Sequence, residues 1–523
     1  MSWRTTRATD RATHHQVAVI DLGSNSWRLV VFSYYPSPPT QWWKRTDELF
    51  ETVRIGAGLG ATGALSEKAI SRGLETLVVF ERFCRASGLA PEDVHAIATS
   101  AIRDASNRDE FLERARDATG LSIEVLSEQD EARYGYVAAV NTTTLRDGLM
   151  VELGGGSIQL VEVRDRRPGH LGSFPLGAVR LTEQLLPGDG PARKKDIARV
   201  KERVRDTLAD LPWLKAPPDG RLVGVGGAVR NLAGAAQRAA GTLDVGVQGF
   251  VITREVLAGL IAELSALPVA ERGTVPGIKP GRGDIILAAA LTLETVLELG
   301  GFGGIEATEA GLRDGIFLAR TLFSGAEPLF ADVREAAVRN LAIQYEADLD
   351  HVEHVARLAL QMHESLAAAG LFKPEPGERE LLWAASMLHD VGMTISYDDH
   401  HKHSRYLIVS AELPGFDPRE RALIAQMTRY HRKGAAKLGE MATLAHEGDE
   451  ALLDRCATIL RLAEHLERGR DQSVSEVRLD TNGDGVDLHL KADGDLTLPR
   501  WSVERYGDGE AFERVFGRRL LIG

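Results

Sequence analysis

Two stretches of this chain set an acid at the end of an apolar strand, follow it with a turn of small residues, and place a serine at one fixed offset. They are VAVIDLGSNSWRLVVF (17–32) and LMVELGGGSIQLVEV (149–163), which align without a gap: Asp21 on Glu152, Gly23 on Gly154, Ser26 on Ser157 and Arg28 on Gln159. Small residues let successive backbone N–H groups point into one concavity suited to phosphate oxygens, and serine hydroxyls add donors. The two nests, Gly23, Ser24, Asn25, Ser26 and Gly154, Gly155, Gly156, Ser157, would clamp a chain of phosphates. Asp21 and Glu152 would hold Mg²⁺, with Mn²⁺ as the alternative ion. A third turn, RLVGVGGAVRNLAGA (221–235), opens a small-residue helix at Gly226 and Gly227, where free N–H groups and the helix dipole favour an anion. Hairpins with such turns are common, so the inference rests on the repetition and not on either copy.

Six motifs in order, DLGSNSWRL, TSAIRDASN (99–107), SEQDEARYGY (127–136), ELGGGS, VGGAVRNLA and GLRDGI (311–316), resemble the exopolyphosphatase and guanosine pentaphosphate phosphatase (Ppx/GppA) family, in its long form. The resemblance implies a two-lobed actin-like α/β fold of the ribonuclease H-like, sugar-kinase type. It also implies metal-dependent hydrolysis of a terminal phosphoanhydride. Glu131 matches the residue that orients or deprotonates the attacking water, a task open to any carboxylate within hydrogen-bond reach. Arg103 and Arg28 match phosphate-binding arginines, and Arg282 a further one near the terminal phosphate, since a guanidinium fork suits phosphate oxygens. Two positions depart from the family pattern: Glu152 stands for an aspartate and Gln159 for a glutamate. If that glutamate helps hold the metal, Mg²⁺ affinity falls here, or the ion shifts toward Asp21 and Glu152.

The substrate expected is inorganic polyphosphate, because no base pocket is readable; guanosine pentaphosphate (pppGpp), or a weakly active sensor that binds either ligand, is the alternative. An actin-like ATPase or kinase shares paired phosphate loops but lacks SEQDEAR and TSAIRDASN. The resemblance also suggests a homodimer, and the reducing compartment read from the two cysteines makes the cytoplasm the expected location.

From about residue 328 the pattern becomes helical. LLWAASMLHDVGMTISYDDHHKHSRYLI (381–408) carries a His-Asp pair, His389 and Asp390, resembling the HD metal phosphohydrolases; His351 lies on an upstream helix, and Glu464 takes the place of a late aspartate ligand. Imidazole with carboxylate suits a metal site, with His403 and His431 as additional candidates. A scaffold role is the stronger expectation for this HD-like domain.

These groups need elements to hold them. The expected order is a tail (1–15), lobe I (16–138), lobe II (139–325), an all-α HD-like domain (328–470) and a small α+β cap (471–523). In 66–88 the apolar face falls on Ala69, Ile70, Leu74, Leu77, Val78 and Phe83, a helix expected to cover a sheet edge. LDTNGDGVDLHL (479–490) lacks the twelfth-position glutamate of a calcium loop and reads as a hairpin. The helix PARKKDIARVKERVR (191–205), with seven basic and two acidic residues, reads as a polyphosphate path or a solvated face.

Composition bounds the rest. The chain has 523 residues, 44% hydrophobic and 26% charged, enough for several domains. Two distant cysteines indicate no disulfide framework and a reducing compartment. A net charge of −13 disfavours a nucleic-acid binder. The N-terminus has no apolar signal core, and no run is long enough to span a bilayer.

Overall fold

The computed structural model describes residues 14–324, 327–492, 494–507 and 509–522. Of the expected N-terminal tail, residues 1–13 lie outside the described residues; His15, counted with it, instead begins the first strand and pairs with Tyr34. The chain divides into two compact units, residues 1–240 with 247–333, and 241–246 with 334–523.

The first unit holds two sheets. β1 (His15–Leu22), β2 (Trp27–Tyr35), β3 (Trp42–Glu51), β4 (Val94–Ala98) and β5 (Ile123–Val125) lie in the order β3-β2-β1-β4-β5. The first three strands are antiparallel neighbours, and β4 and β5 join parallel. β6 (Gly148–Leu153), β7 (Ile158–Arg164), β8 (Arg167–Phe174), β9 (Arg221–Val225), β10 (Val251–Thr253) and β11 (Gly304–Ala307) form the order β10-β11-β9-β6-β7-β8. Read from its far edge, β8-β7-β6-β9-β11 repeats the first sheet strand for strand, with antiparallel β10 added at the rim. The same order twice is the ribonuclease H-like duplication of actin-type lobes. It explains why the two hairpins align: Asp21 opposes Arg28 in β1/β2 as Glu152 opposes Gln159 in β6/β7.

Alternation sets the core of each sheet. Ala18, Ile20 and Leu22 of β1 and Leu29 and Val31 of β2 face the helix Glu67–Ala86, which therefore covers a sheet face and not the expected edge. Ser66 caps this helix by accepting from the Ala69 N–H at 3.3 Å. Its buried line runs Ala69, Ile70, Gly73, Leu77, Phe80, Cys84, so Leu74, Val78 and Phe83 are only half-buried. The rotation follows from Gly73, whose bare backbone accepts the Trp27 ring; a Cβ there would lie 2.5 Å from it.

The lobe boundary expected at 138/139 falls inside the helix Glu128–Thr142. The segment Leu312–Phe317, expected in the second lobe, returns to the first sheet, where Phe317 stacks on Phe32 of β2 at 4.3 Å. In the basic helix Lys194–Leu208, Lys201 and Arg205 pair with Glu294 and Glu298, which leaves less free charge than the sequence suggested.

The second unit is helical around one core that joins the helices Leu349–Ala368, Glu378–Leu388, Pro418–Tyr430 and Asp449–Leu466. β12 (Val474–Asn482) and β13 (Gly485–Ala492) form the hairpin read in LDTNGDGVDLHL, and β14 (Arg519–Ile522) joins β13 in parallel. Among the described residues no helix is long and apolar enough to cross a membrane.

Candidate functional site

The glycine turns of both sheets converge on one cavity of about 110 Å³ within the first unit. A buried water needs only ~10–15 Å³ of such space, so a phosphoryl group with several waters fits. The strand order produces the convergence, because β1, β6 and β9 end in the turns that line it: Gly23 to Ser26, Gly154 and Gly155, and Gly226 and Gly227. The first two turns touch. A Cβ on Gly155 would lie 3.1 Å from Ser24 Cβ and one on Gly156 3.1 Å from Ser24 Oγ, which itself lies 3.0 Å from Ser100 Oγ. Gly226 has φ +98, a conformation that favours glycine, and starts the helix Gly227–Ala239 with its N-terminus at the cavity.

Four arginines line the space: Arg28, Arg230, Arg282 and Arg313. Burial, then the neighbouring Arg313 and Arg230 guanidinia, pulls Arg28 down to about 10; burial, Arg230 and Arg313 do the same to Arg282. Like charges held out of water in one cavity are the electrostatic template for a polyanion. Each has a fixed posture. Arg28 pairs with Glu48 at 2.7 Å, Arg230 donates to the Glu309 carbonyl at 2.7 Å, and Arg313 reaches Asp21 Oδ2 at 2.6 Å. Arg282 packs on Gly227, where a Cβ would lie 2.5 Å from Nη2.

Three acids share the cavity: Asp21, Glu131 and Glu152. Glu131 sits in the first turns of the helix Glu128–Thr142, capped by Ser127, which accepts from the Asp130 N–H at 3.1 Å. Its carboxyl is pushed up to about 7, first by burial and further by Asp21 and Glu128, against the pull of Arg103. Glu152 is pushed up to about 8 by burial, then by Glu131 and Asp21. Its Oε2 is buried and accepts no hydrogen bond. The space for this carboxylate is made by Gly135, where a Cβ would lie 2.4 Å from Oε2. The oxygens of the three acids do not gather as closely as the ligand triads of the second unit, but Mg²⁺ is commonly held by one or two carboxylates together with waters and substrate phosphates, and Asp21 and Glu152 on the wall of a phosphate cavity fit that pattern.

Three sequence expectations change. Arg103 does not line the cavity: its Nη1 donates to Glu131 Oε2 at 2.8 Å and to the Leu126 carbonyl at 3.0 Å, so it holds the carboxylate and not a phosphate. Gln159 is buried and does not line the cavity. Its Nε2 donates to Ser157 Oγ at 2.7 Å and Ser173 Oγ at 3.3 Å, bracing the turn from behind. Gly156 and Ser157 likewise stand behind the lining and shape it. Arg230 and Arg313 were missed, although both lie inside quoted motifs, VGGAVRNLA and GLRDGI; an arginine directly after or within a phosphate-turn motif was the available signal.

In the second unit His351, His389, Asp390 and Glu464 are brought together, with Glu464 Oε2 3.1 Å from His351 Nε2 and 3.2 Å from His389 Nε2. His431 joins them, but His403 does not; His400 takes that place, 3.2 Å from Asp390 Oδ1. The two histidines lie three apart on one helix, and its orientation decides which faces inward.

The profile of the Ppx/GppA phosphatase family matches residues 46–322, and that of Ppx/GppA phosphatase domain III matches 333–499. The chain is similar to the guanosine-5'-triphosphate,3'-diphosphate pyrophosphatase of Vibrio vulnificus (strain YJ016), 28% identical over 91% of this chain and 92% of that one. The protein of the same name from Vibrio atlanticus (strain LGP32) is 27% identical over 93% and 95%. Among solved structures, the Aquifex aeolicus Ppx/GppA family member matches with a TM-score of 0.51 and 26% identity over 60% of this chain and all of that one. An exopolyphosphatase from Cytophaga hutchinsonii matches with a TM-score of 0.54 and 22% identity over 60% of this chain and 100% of that chain, a likeness of fold alone. Sheets duplicated strand for strand, phosphate turns meeting at one cavity, and a family profile covering over half of the sequence lead to one conclusion: this chain belongs to the Ppx/GppA phosphatase family.

Proposed function

We propose that this chain hydrolyses the terminal phosphoanhydride of inorganic polyphosphate and releases orthophosphate. The observation that carries the reading is a carboxyl group poised near neutrality, Glu131, in a cavity with four arginines and three phosphate turns. In this reading the turns at Gly23–Ser26, Gly154–Ser157 and Gly226–Gly227 hold the phosphate chain. Arg28, Arg230, Arg282 and Arg313 neutralise charge that develops on its equatorial oxygens. Glu131 accepts the proton of the attacking water, and Arg103 is a positioning residue that aims it. Asp21 and Glu152 would hold Mg²⁺, with Glu131 close by; the ion supplies Lewis acidity toward a phosphate oxygen when bound.

A second reading, removal of the terminal phosphate of guanosine pentaphosphate, is favoured by the printed names of the Vibrio relatives. Polyphosphate comes first because the lining is turns, acids and arginines, with no aromatic side chain for a base to stack on. The same reading takes 328–470 as an HD-like domain and 471–523 as an α+β cap, and the protein as a cytoplasmic homodimer. The gathering of His351, His389 and Asp390 supports the HD-like part.

Orthophosphate release, measured with Mg²⁺ on polyphosphate, guanosine pentaphosphate and ATP, tests the reading. Release from polyphosphate supports it, and release from the pentaphosphate alone moves the assignment to the second reading. ATP turnover alone would favour an actin-like ATPase, and no release from any of the three overturns hydrolysis.

A further inference from the structure

The helical unit holds two triads of metal-ligating side chains, His351–His389–Asp390 and Asp390–His400–His431, with ligand atoms in each within 4.8 Å of one another. Asp390 belongs to both. All five residues are buried, as is Glu464 beside them. They come from five helices or helix ends, so the packing of the whole unit sets their convergence.

The histidine tautomers decide what the cluster needs. His389, His400 and His431 each hold Nδ1 against a backbone carbonyl, at 2.6 Å from Ser386, 2.9 Å from Tyr397 and 2.7 Å from Thr428. A carbonyl only accepts, so each Nδ1 carries a proton, and each of these rings, when neutral, presents its Nε2 lone pair to the centre of the cluster. The Nε2 atoms of His400 and His431 then face each other at 3.1 Å, acceptor against acceptor, with Asp390 Oδ1 alongside. On the other side, Glu464 Oε2 lies 3.1 Å from His351 Nε2 and 3.2 Å from His389 Nε2, which brings a second carboxylate to the same centre. A bound cation satisfies such a set, and backbone carbonyls fixing the remote ring nitrogen are the usual support of metal-bound imidazole. Four imidazoles with two carboxylates suit a transition metal better than Mg²⁺.

We propose that these six side chains hold a pair of divalent transition-metal ions that share Asp390. Arg470, whose Nη2 donates to Asp390 Oδ2 at 2.5 Å, and Arg468, 3.7 Å from Glu464, are the cations that balance the acids and compete with the ions. The centre is accessible: His400, His431 and Glu464 also line a cavity of about 680 Å³. Its wall carries Arg432, Lys433, Arg468 and Arg505 with Trp501 and Tyr506. Cations beside aromatic faces fit a phosphate that bears a base, so the ligand class is a nucleotide.

The test uses full-length protein stripped of metal by a chelator and titrated with Co²⁺, followed by calorimetry and visible absorption. Co²⁺ held by oxygen alone absorbs weakly; nitrogen ligation in a site of low coordination number intensifies and shifts the band. The expected result is two equivalents carrying the nitrogen-type band, retained in Glu152→Gln, reduced to one in His431→Gln, and perturbed by added AMP. No nitrogen-type band in the wild-type protein overturns the centre, whether or not any variant folds. A single equivalent overturns the pair, and a band insensitive to AMP overturns the ligand class.

Discussion

Arg103 Nη1 donates to Glu131 Oε2 at 2.8 Å, joining the TSAIRDASN and SEQDEAR segments behind the cavity. The guanidinium opposes the burial that raises the Glu131 carboxyl to about 7. A base works deprotonated, so the rate rises with pH as Glu131 loses its proton. Replacing Arg103 by Met removes a cation that favours the carboxylate, so this limb of the pH–rate profile moves to higher pH. At pH 7 kcat falls by roughly 10- to 100-fold, within the usual worth of general-base catalysis. KM changes little, because Arg103 does not line the cavity. A uniform fall at every pH would contradict the positioning role.

Gly135 gives Glu152 its room. Gly135→Ala supplies a better helix former, worth ~1 kcal/mol in an exposed helix interior, yet places a methyl where Glu152 Oε2 lies. The displaced carboxylate weakens Mg²⁺ binding by about tenfold, since Mg²⁺ tolerates little departure from its octahedral geometry. Calorimetric Mg²⁺ titration checks this, and unchanged affinity would remove Glu152 from the ion's ligands.

Gln159→Glu restores the acid usual in the family. Because the side chain braces Ser157 and Ser173, the substitution leaves Mg²⁺ affinity within about twofold. It costs roughly 1–3 kcal/mol of stability through a buried charge with poorer partners. A large gain in Mg²⁺ affinity would return position 159 to the metal.

Glu378 anchors the helical unit. Although burial raises its carboxyl, His363, the two-pronged Arg455 pair at 2.7 and 2.8 Å and the Glu375 N–H bring it down to about 2 from 4.5. A depressed folded-state value stabilises the protein above about 4.5, and this contribution is lost as pH falls toward about 2. Glu378→Gln should lower the melting temperature at pH 7 and flatten its fall between pH 4.5 and 2. An equal acid fall in both proteins would contradict the assignment.

The duplication was legible because acid, turn and serine recur at one offset, and the repeated sheet order is its structural cause. The positions of charged side chains were less so. Arg28, Arg103 and Arg282 have one residue type, yet Arg103 turns back to Glu131 while the others face the cavity; side-chain direction depends on packing between elements distant in sequence. Gln159 misled for a related reason. Strand pairing sets it opposite Glu152, but its amide finds two serine hydroxyls on its own turn and on β8. The exchange of His403 for His400 turned on the rotation of one helix, which no local pattern gives.

The measurement that bears most directly on the proposed chemistry is orthophosphate release from polyphosphate by Glu131→Gln beside the wild-type protein, with polyphosphate binding measured in parallel. The account predicts a loss of at least ~100-fold in kcat with binding retained, because the arginines and turns are untouched. Release at the wild-type rate by a folded Glu131→Gln protein would contradict it and place the proton acceptor elsewhere.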